Sequence, residues 1–190
     1  MISLNSTGEL REQLLENMRS ALPRLAVRMN VQNLTGDSIA AMAHRLYLDN
    51  PLILVEEPEV TVSVYPQDSL SRIFEIDMLY EKSAEILEQE KLELREAVVQ
   101  TAGGASGNGI GDAAQLAEAL RETCRYRRLE DESRAAHALL DGIGGSGDLA
   151  LAYLTLCQAR GIKAVVVEGR LEQEEHYWNI VTIGENSYHV

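Results

Sequence analysis

Residues 141–154 place a serine among glycines directly before an apolar helical pattern. In this stretch, DGIGGSGDLALAYL, Ser146 stands between Gly145 and Gly147. A side chain at a helix N-terminus lies in the positive end of the helix dipole, and the free N–H groups of the first turn can bind a developing oxyanion. The segment could therefore carry a nucleophile, hold a phosphate or form only a turn.

The same glycines match the spacing of a dinucleotide-binding loop. Gly142, Gly144 and Gly147 satisfy GxGxxG, and Glu168 follows at the distance of a ribose-binding acid. A dinucleotide loop needs a strand that runs into its first glycine, whereas the preceding DESRAAHALL predicts a helix. Nucleotide binding stays open as an alternative to a nucleophile.

His176 is the histidine whose surroundings best fit a general base. It lies in HYWNIVTI, an alternating pattern typical of a strand, with Trp178, the only tryptophan, and Asn179. A histidine beside a nucleophile can accept its proton and later return it to the leaving group. We expect structural or surface roles for the other histidines: His44, His137 and His189.

The composition excludes several classes of function. The net charge is −13, from 30 acidic and 17 basic residues, which disfavours nucleic acids and anionic membrane surfaces as partners. Cys124 and Cys157 lack the spacing of a metal site, so we expect neither a structural metal nor a cofactor. No apolar run is long enough to span a bilayer, and the first residues do not resemble a signal peptide.

Hydrophobic periodicity predicts the elements that position these residues. Helices are predicted over residues 7–20, 37–49, 83–101, 112–125, 131–140 and 148–160. Strands are predicted over residues 24–31, 60–66, 72–80, 163–169, 176–183 and 187–190, with 60–66 and 72–80 forming a hairpin and 163–169 buried on both faces. These elements predict an α+β fold with helices packed on an antiparallel sheet.

A glycine-rich segment divides the chain. Residues 103–111 contain five glycines in nine positions, and we interpret residues 103–112 as a linker. It separates an N-terminal helix–strand region, residues 1–102, from a second region, residues 113–190.

Four pieces of the second region, taken in order, resemble the transglutaminase-like superfamily, a branch of the papain-type cysteine enzymes. Members carry G-x-x-x-C-x-G-Y-A at a helix N-terminus, then GI-x-x-x-x-V-x-G, H-A-W-N and W-Y-x-V-D. The corresponding pieces here are GIGGSGDLA at 142–150, GIKAVVVEG at 161–169, HYWN at 176–179 and SYHV at 187–190. CRYRR around Tyr126 adds to the likeness.

This resemblance implies a papain-like core that acts on peptide or protein amides by acyl transfer. It places Ser146 at the nucleophile position and His176 at the base position. It also assigns cleft or structural positions to Gly147, Trp178, Asn179 and Tyr126. The bacterial relatives are often exported, but the sequence predicts no compartment for this chain.

Two departures from the family pattern lead us to expect weak or absent activity. Ser146 stands where the family has cysteine, and a hydroxyl is a far weaker acid than a thiol. The family's acid falls one position after Val190, and family domains continue with further strands, so we expect the family core to extend beyond this residue. Loss of an orienting acid can cost about 10⁴ in rate. A non-catalytic module that binds peptides or proteins is therefore the alternative.

Overall fold

The computed structural model is an α+β structure that describes residues 1–66, 70–103, 109–130 and 133–190. The chain divides into two compact units. The first comprises Met1–Tyr47 and Glu56–Glu88, and the second comprises Leu48–Val55 and Gln89–Val190. Among the described residues, no helix has the length and hydrophobicity that crossing a bilayer requires.

The first unit is built on a four-stranded sheet. Its elements are β1 (Ile2–Leu4), α1 (Thr7–Arg19), β2 (Arg24–Met29), α2 (Gly36–Asp49), β3 (Glu59–Tyr65), β4 (Arg72–Leu79) and α3 (Ala84–Ala102). The ends of α2 and α3 belong to the second unit. The strand order is β1-β2-β4-β3. β1 is parallel to β2, and the other pairs are antiparallel. The sequence did not predict β1, because its three residues are too short for a periodic pattern.

Local sequence explains why these elements form. The Ser6 hydroxyl caps α1 by accepting the Glu9 N–H at 3.1 Å. Leu10, Leu14 and Met18 follow at helical spacing and are buried. In β2 and β4 every second residue is buried, as expected for strands with one face in the core. The predicted hairpin is present, but residues 67–69 of its turn lie outside the described residues.

The second unit surrounds an apolar helix. Its further elements are α4 (Ile110–Thr123), β5 (Arg125–Tyr126), α5 (Ala135–Leu139), β6 (Ile143–Gly144), α6 (Ser146–Ala159), β7 (Lys163–Leu171), β8 (Glu174–Ile183) and β9 (Asn186–His189). α6 is buried on nearly all sides, which is typical of a helix at the centre of a core. α4, α5, β7 and β8 pack against it. β7, β8 and β9 form an antiparallel sheet in that order.

Two sequence predictions need correction in the second unit. β7 is not buried on both faces, because it is an edge strand and only Val166 in it is fully buried. The helix predicted for residues 131–140 covers only Ala135–Leu139, with residues 131 and 132 outside the described residues. A helix, α5, precedes Gly142 as predicted, and the two-residue strand β6 lies within the glycine loop at Ile143–Gly144, where it pairs in parallel with β5. Such short pairings leave no periodic signal in the sequence.

The predicted linker can be compared with the structure only in part. Residues 104–108 lie outside the described residues, and residues 110–112 already belong to α4. The two compact units divide within α3, between Glu88 and Gln89, rather than at residue 103. The assignment of residues 103–112 as a linker stays a prediction.

Candidate functional site

Ser146 is the first residue of α6, as its position in the glycine loop suggested. Its hydroxyl oxygen accepts the backbone N–H of Tyr177 on β8 at 3.3 Å. The hydroxyl therefore lies where the end of one helix meets the central strand of the neighbouring sheet. Both the helix dipole and the Tyr177 N–H favour negative charge on an atom at this position.

The loop in front of Ser146 is held by a buried carboxylate. Asp148 accepts the N–H of Gly145 at 2.8 Å through Oδ2 and the N–H of Arg134 at 2.8 Å through Oδ1. The same Oδ1 lies 2.8 Å from Nδ1 of His137. Only 3% of Asp148 is exposed. The carboxylate therefore joins the start of α5, the side chain of His137 and the loop before the candidate nucleophile.

Sequence reasoning assigned no such partnership to Asp148 and His137. It treated the aspartate as a departure from the family pattern and the histidine as surface or structural. The only local signal for the Gly145–Asp148 bond is the spacing of the two residues. An acid three residues after the residue that precedes a helix can accept that residue's N–H across the first turn. The contact with His137 depends on how α5 packs and has no signal in the sequence.

Close packing, rather than phosphate binding, accounts for the glycines. A Cβ on Gly144 would lie 2.6 Å from the Cβ of Asp148, and one on Gly147 would lie 2.6 Å from the Cβ of Ser133. Gly142 has a φ of 68°, which a side chain rarely adopts. The Gly145 N–H is bound to a carboxylate, so the loop presents an anion where a dinucleotide would need free amides.

His176 and Trp178 lie on the same face of β8. Their rings stack with centroids 6.4 Å apart and planes 24° apart. Trp178 also covers Gly169 of β7, where a Cβ would come within 2.5 Å of the indole ring. Among the described residues, the buried indole N–H of Trp178 has no hydrogen-bond partner. The stack with Trp178 therefore limits where the imidazole can lie.

Asn179 has a structural position beneath this face. Its buried amide donates to the carbonyl of Ala150 in α6 at 3.0 Å and to that of Val165 in β7 at 3.4 Å. Its backbone pairs with Val190 at 2.9 and 3.0 Å.

Two pockets meet at Ser146, His176 and Tyr126, which line both of them. The apolar pocket, of about 510 Å³, has walls from α4, α6 and β8 that include Leu120, Leu149, Tyr153 and Trp178. The polar pocket, of about 270 Å³, is lined in addition by Arg128, Leu171, Glu172, Glu174 and Glu175. The structure thus brings together Ser146, His176 and Tyr126, with Trp178 and Asn179 lining the apolar pocket only and Gly147 lining neither.

A thiol also lines the apolar pocket, although the sequence gave it no role there. Cys124 follows α4, and burial, followed by the nearby Asp148 carboxylate, raises the pKa of its thiol. The second thiol, Cys157, is buried within α6, and burial raises its pKa to about 11. Neither thiol has the depressed pKa of an activated nucleophile. Among the described residues, no group of histidine, cysteine and carboxylate side chains could hold a metal ion.

The comparison with protein families agrees with the sequence pattern. The sequence model of the transglutaminase-like superfamily core matches residues 95–190. A cysteine protease candidate from Cytophaga hutchinsonii has a TM-score of 0.44 and 14% identity, and the alignment covers 69% of this chain and 61% of that one. A structure named as a TGase has a TM-score of 0.47 and 8% identity, with coverage of 100% and 58%. The chain spans about three fifths of these two proteins. No curated protein matches it.

Proposed function

Because the chain belongs to the transglutaminase-like superfamily, we propose that its second unit binds peptide amides at Ser146 and His176 and transfers acyl groups weakly or not at all. The observation that carries this proposal is the position of Ser146. Its hydroxyl oxygen is at the first residue of α6, accepts the Tyr177 N–H at 3.3 Å, and lines the same two pockets as His176.

The arrangement suits nucleophilic attack on an amide. The Ser146 oxygen would form a bond to the carbonyl carbon while His176 takes the hydroxyl proton, and the proton would then pass to the departing amine. Backbone N–H groups in the first turn of α6 would stabilise the oxyanion. Water would attack the resulting ester and regenerate the serine.

Serine limits this chemistry. The helix dipole and a nearby imidazolium can convert a thiol to thiolate, but they cannot ionise a hydroxyl near neutral pH. The attack therefore depends wholly on proton transfer to His176 in the transition state. This dependence supports weak turnover, and it equally supports a second candidate, a cleft that binds peptides without reacting with them.

The test converts Ser146 to the family residue and measures thiol ionisation. Ser146→Cys is made in a Cys124→Ser background, and the rate of alkylation by iodoacetamide is followed from pH 5 to 9, with the labelled position identified by peptide mass spectrometry. Ser187→Cys in the same background is the control, because Ser187 is exposed and belongs to strand β9 rather than to a helix. His176→Ala is then added to the Ser146→Cys protein.

We expect the thiol at position 146 to react at least about tenfold faster than the control at pH 6.5, because its pKa lies below the ordinary value of about 8.5. This advantage should fall when His176→Ala is added. Equal pH profiles for the two thiols would contradict the proposed nucleophile position. An advantage that His176→Ala leaves unchanged would remove His176 as the base.

A further inference from the structure

The two pockets that meet at Ser146 and His176 differ in chemistry. The apolar pocket is lined mainly by leucine, alanine and aromatic side chains, and its one arginine, Arg121, is paired with Glu118. The polar pocket carries one arginine and three glutamates. A peptide whose amide lies over Ser146 would therefore have one neighbouring side chain in an apolar environment and another in an acidic one.

The shape and lining of the apolar pocket define what it can hold. Its volume of about 510 Å³ is in the range of ordinary ligand sites. Leu120 on α4, Ala150 and Tyr153 on α6 and Trp178 on β8 supply walls from three different elements, and the first three of these residues are buried. Water in such a pocket gains little from its walls, so an aliphatic side chain would displace it favourably.

The charges of the polar pocket define the other side of the cleft. Arg128 pairs with Glu174 at 2.7 Å, which leaves the carboxylates of Glu172 and Glu175 as excess negative charge around the cavity. Glu172 and Gln173, at the tip of the β7–β8 hairpin, both have positive φ, so the turn is tight and holds the glutamates close to His176. A cationic side chain complements this surface, and an anionic one is repelled.

We propose that the cleft selects a peptide with an aliphatic side chain in the apolar pocket and a lysine or arginine side chain in the polar pocket, on opposite sides of an amide held at Ser146 and His176. This inference rests on the proposed function for the location of the amide. It goes beyond that function by naming the substrate class and the residues that select it.

The test uses the unmodified protein and two fluorescein-labelled peptides, Gly-Leu-Gln-Lys-Gly and the reversed Gly-Lys-Gln-Leu-Gly, because the direction of the bound chain is not fixed by the pockets. Kd is measured by fluorescence anisotropy at low and at physiological salt. The comparison peptides carry glycine in place of leucine, or glutamate in place of lysine. We expect one direction to bind about tenfold more tightly than either comparison peptide, and the advantage of lysine to shrink as salt is added.

Matched variants assign each preference to its pocket. Ala117→Leu fills the apolar pocket and should remove the advantage of leucine, whereas Ala119→Leu, on the same helix but outside the pocket lining, should not. Glu172→Gln with Glu175→Gln should remove the advantage of lysine, whereas Glu185→Gln, in the exposed β8–β9 turn, should not.

Equal affinity for all peptides, tighter binding of the glutamate peptide, or no binding at millimolar protein would each overturn the proposal. Because no thiol is involved, these outcomes are independent of the alkylation test. Selective binding without enhanced alkylation would retain the cleft and reject the nucleophile position. Enhanced alkylation without selective binding would retain the nucleophile position and reject the proposed peptide selectivity.

Discussion

Asp148, two residues after the candidate nucleophile, contacts His137 in the second unit. The distance between Asp148 Oδ1 and His137 Nδ1 is 2.8 Å. The carboxylate takes two backbone N–H groups as well. Acyl-transfer sites need donors held in place before the reaction begins. Asp148 holds the loop in place from outside the two pockets, since it lines neither of them.

Removing this carboxylate should destabilise the second unit strongly. Asp148→Ala leaves three buried donors without their acceptor, and we expect a loss of about 3 kcal/mol in the free energy of unfolding. Asp112→Ala is the matched control, because Asp112 has the same place in α4, where it accepts the Gly109 N–H, but is only half-buried. It should cost about 1 kcal/mol. Urea unfolding followed by the fluorescence of Trp178, the only tryptophan, measures both. Similar losses for the two variants would contradict the network.

Gly147 should tolerate no side chain. Gly147→Ala would bring a Cβ to 2.6 Å from the Cβ of Ser133, and relieving this clash should cost about 1–3 kcal/mol. Adding Ser133→Gly should recover part of the loss. Gly111→Ala in α4 is the control, because a Cβ there meets no atom within 4 Å and alanine favours the helix. The same unfolding measurement applies. No recovery in the double variant would show that Ser133 is not the obstacle.

Asn179 should not be replaceable by aspartate at neutral pH. Asn179→Asp places a carboxylate against the carbonyl oxygens of Ala150 and Val165, and we expect a loss of about 3 kcal/mol at pH 7. The introduced carboxyl would have a raised pKa in the folded state, because its protonated form alone can donate. The Asn179→Asp protein is therefore most stable below about pH 4, and it loses stability as the pH rises through the folded-state pKa of this carboxyl.

Thermal unfolding from pH 4 to 7 measures this dependence relative to the unmodified protein. Asn186→Asp is the control, because Asn186 is exposed on β9, and it should change stability by less than about 0.5 kcal/mol at every pH. A variant at position 179 whose relative stability is independent of pH would show that its side chain does not face the two carbonyls.

The raised pKa of Cys157 predicts a second pH dependence. An ordinary thiol ionises near pH 9, whereas burial holds the folded-state pKa at about 11. A raised folded-state pKa contributes stability that is complete below the unfolded pKa and is lost as the pH rises toward 11. Relative to Cys157→Ala, the unmodified protein should therefore lose about 2 kcal/mol between pH 8.5 and 11. A constant difference between the two proteins across this range would show that the thiol ionises equally in both states.

The sequence by itself determined the order and type of nearly all the long elements, because helical and strand periodicities are local. It also placed Ser146 at a helix N-terminus and His176 on a strand, since each lies in a short pattern of specific residues. The mixed pairing of β1 and the two-residue strands β5 and β6 gave no such signal. Their stability comes from neighbours in space rather than from their own residues.

Only the tertiary structure decided what surrounds the site. The acceptor of the Tyr177 N–H is 31 residues away in the chain, and the partner of His137 is 11 residues away. Such contacts depend on how α5 and β8 pack against α6, which no local pattern specifies. The same holds for the two pockets, because their walls come from elements spread between α4 and β8. The residue types determine which chemistry is possible, and the packing determines which of these residues lie close together.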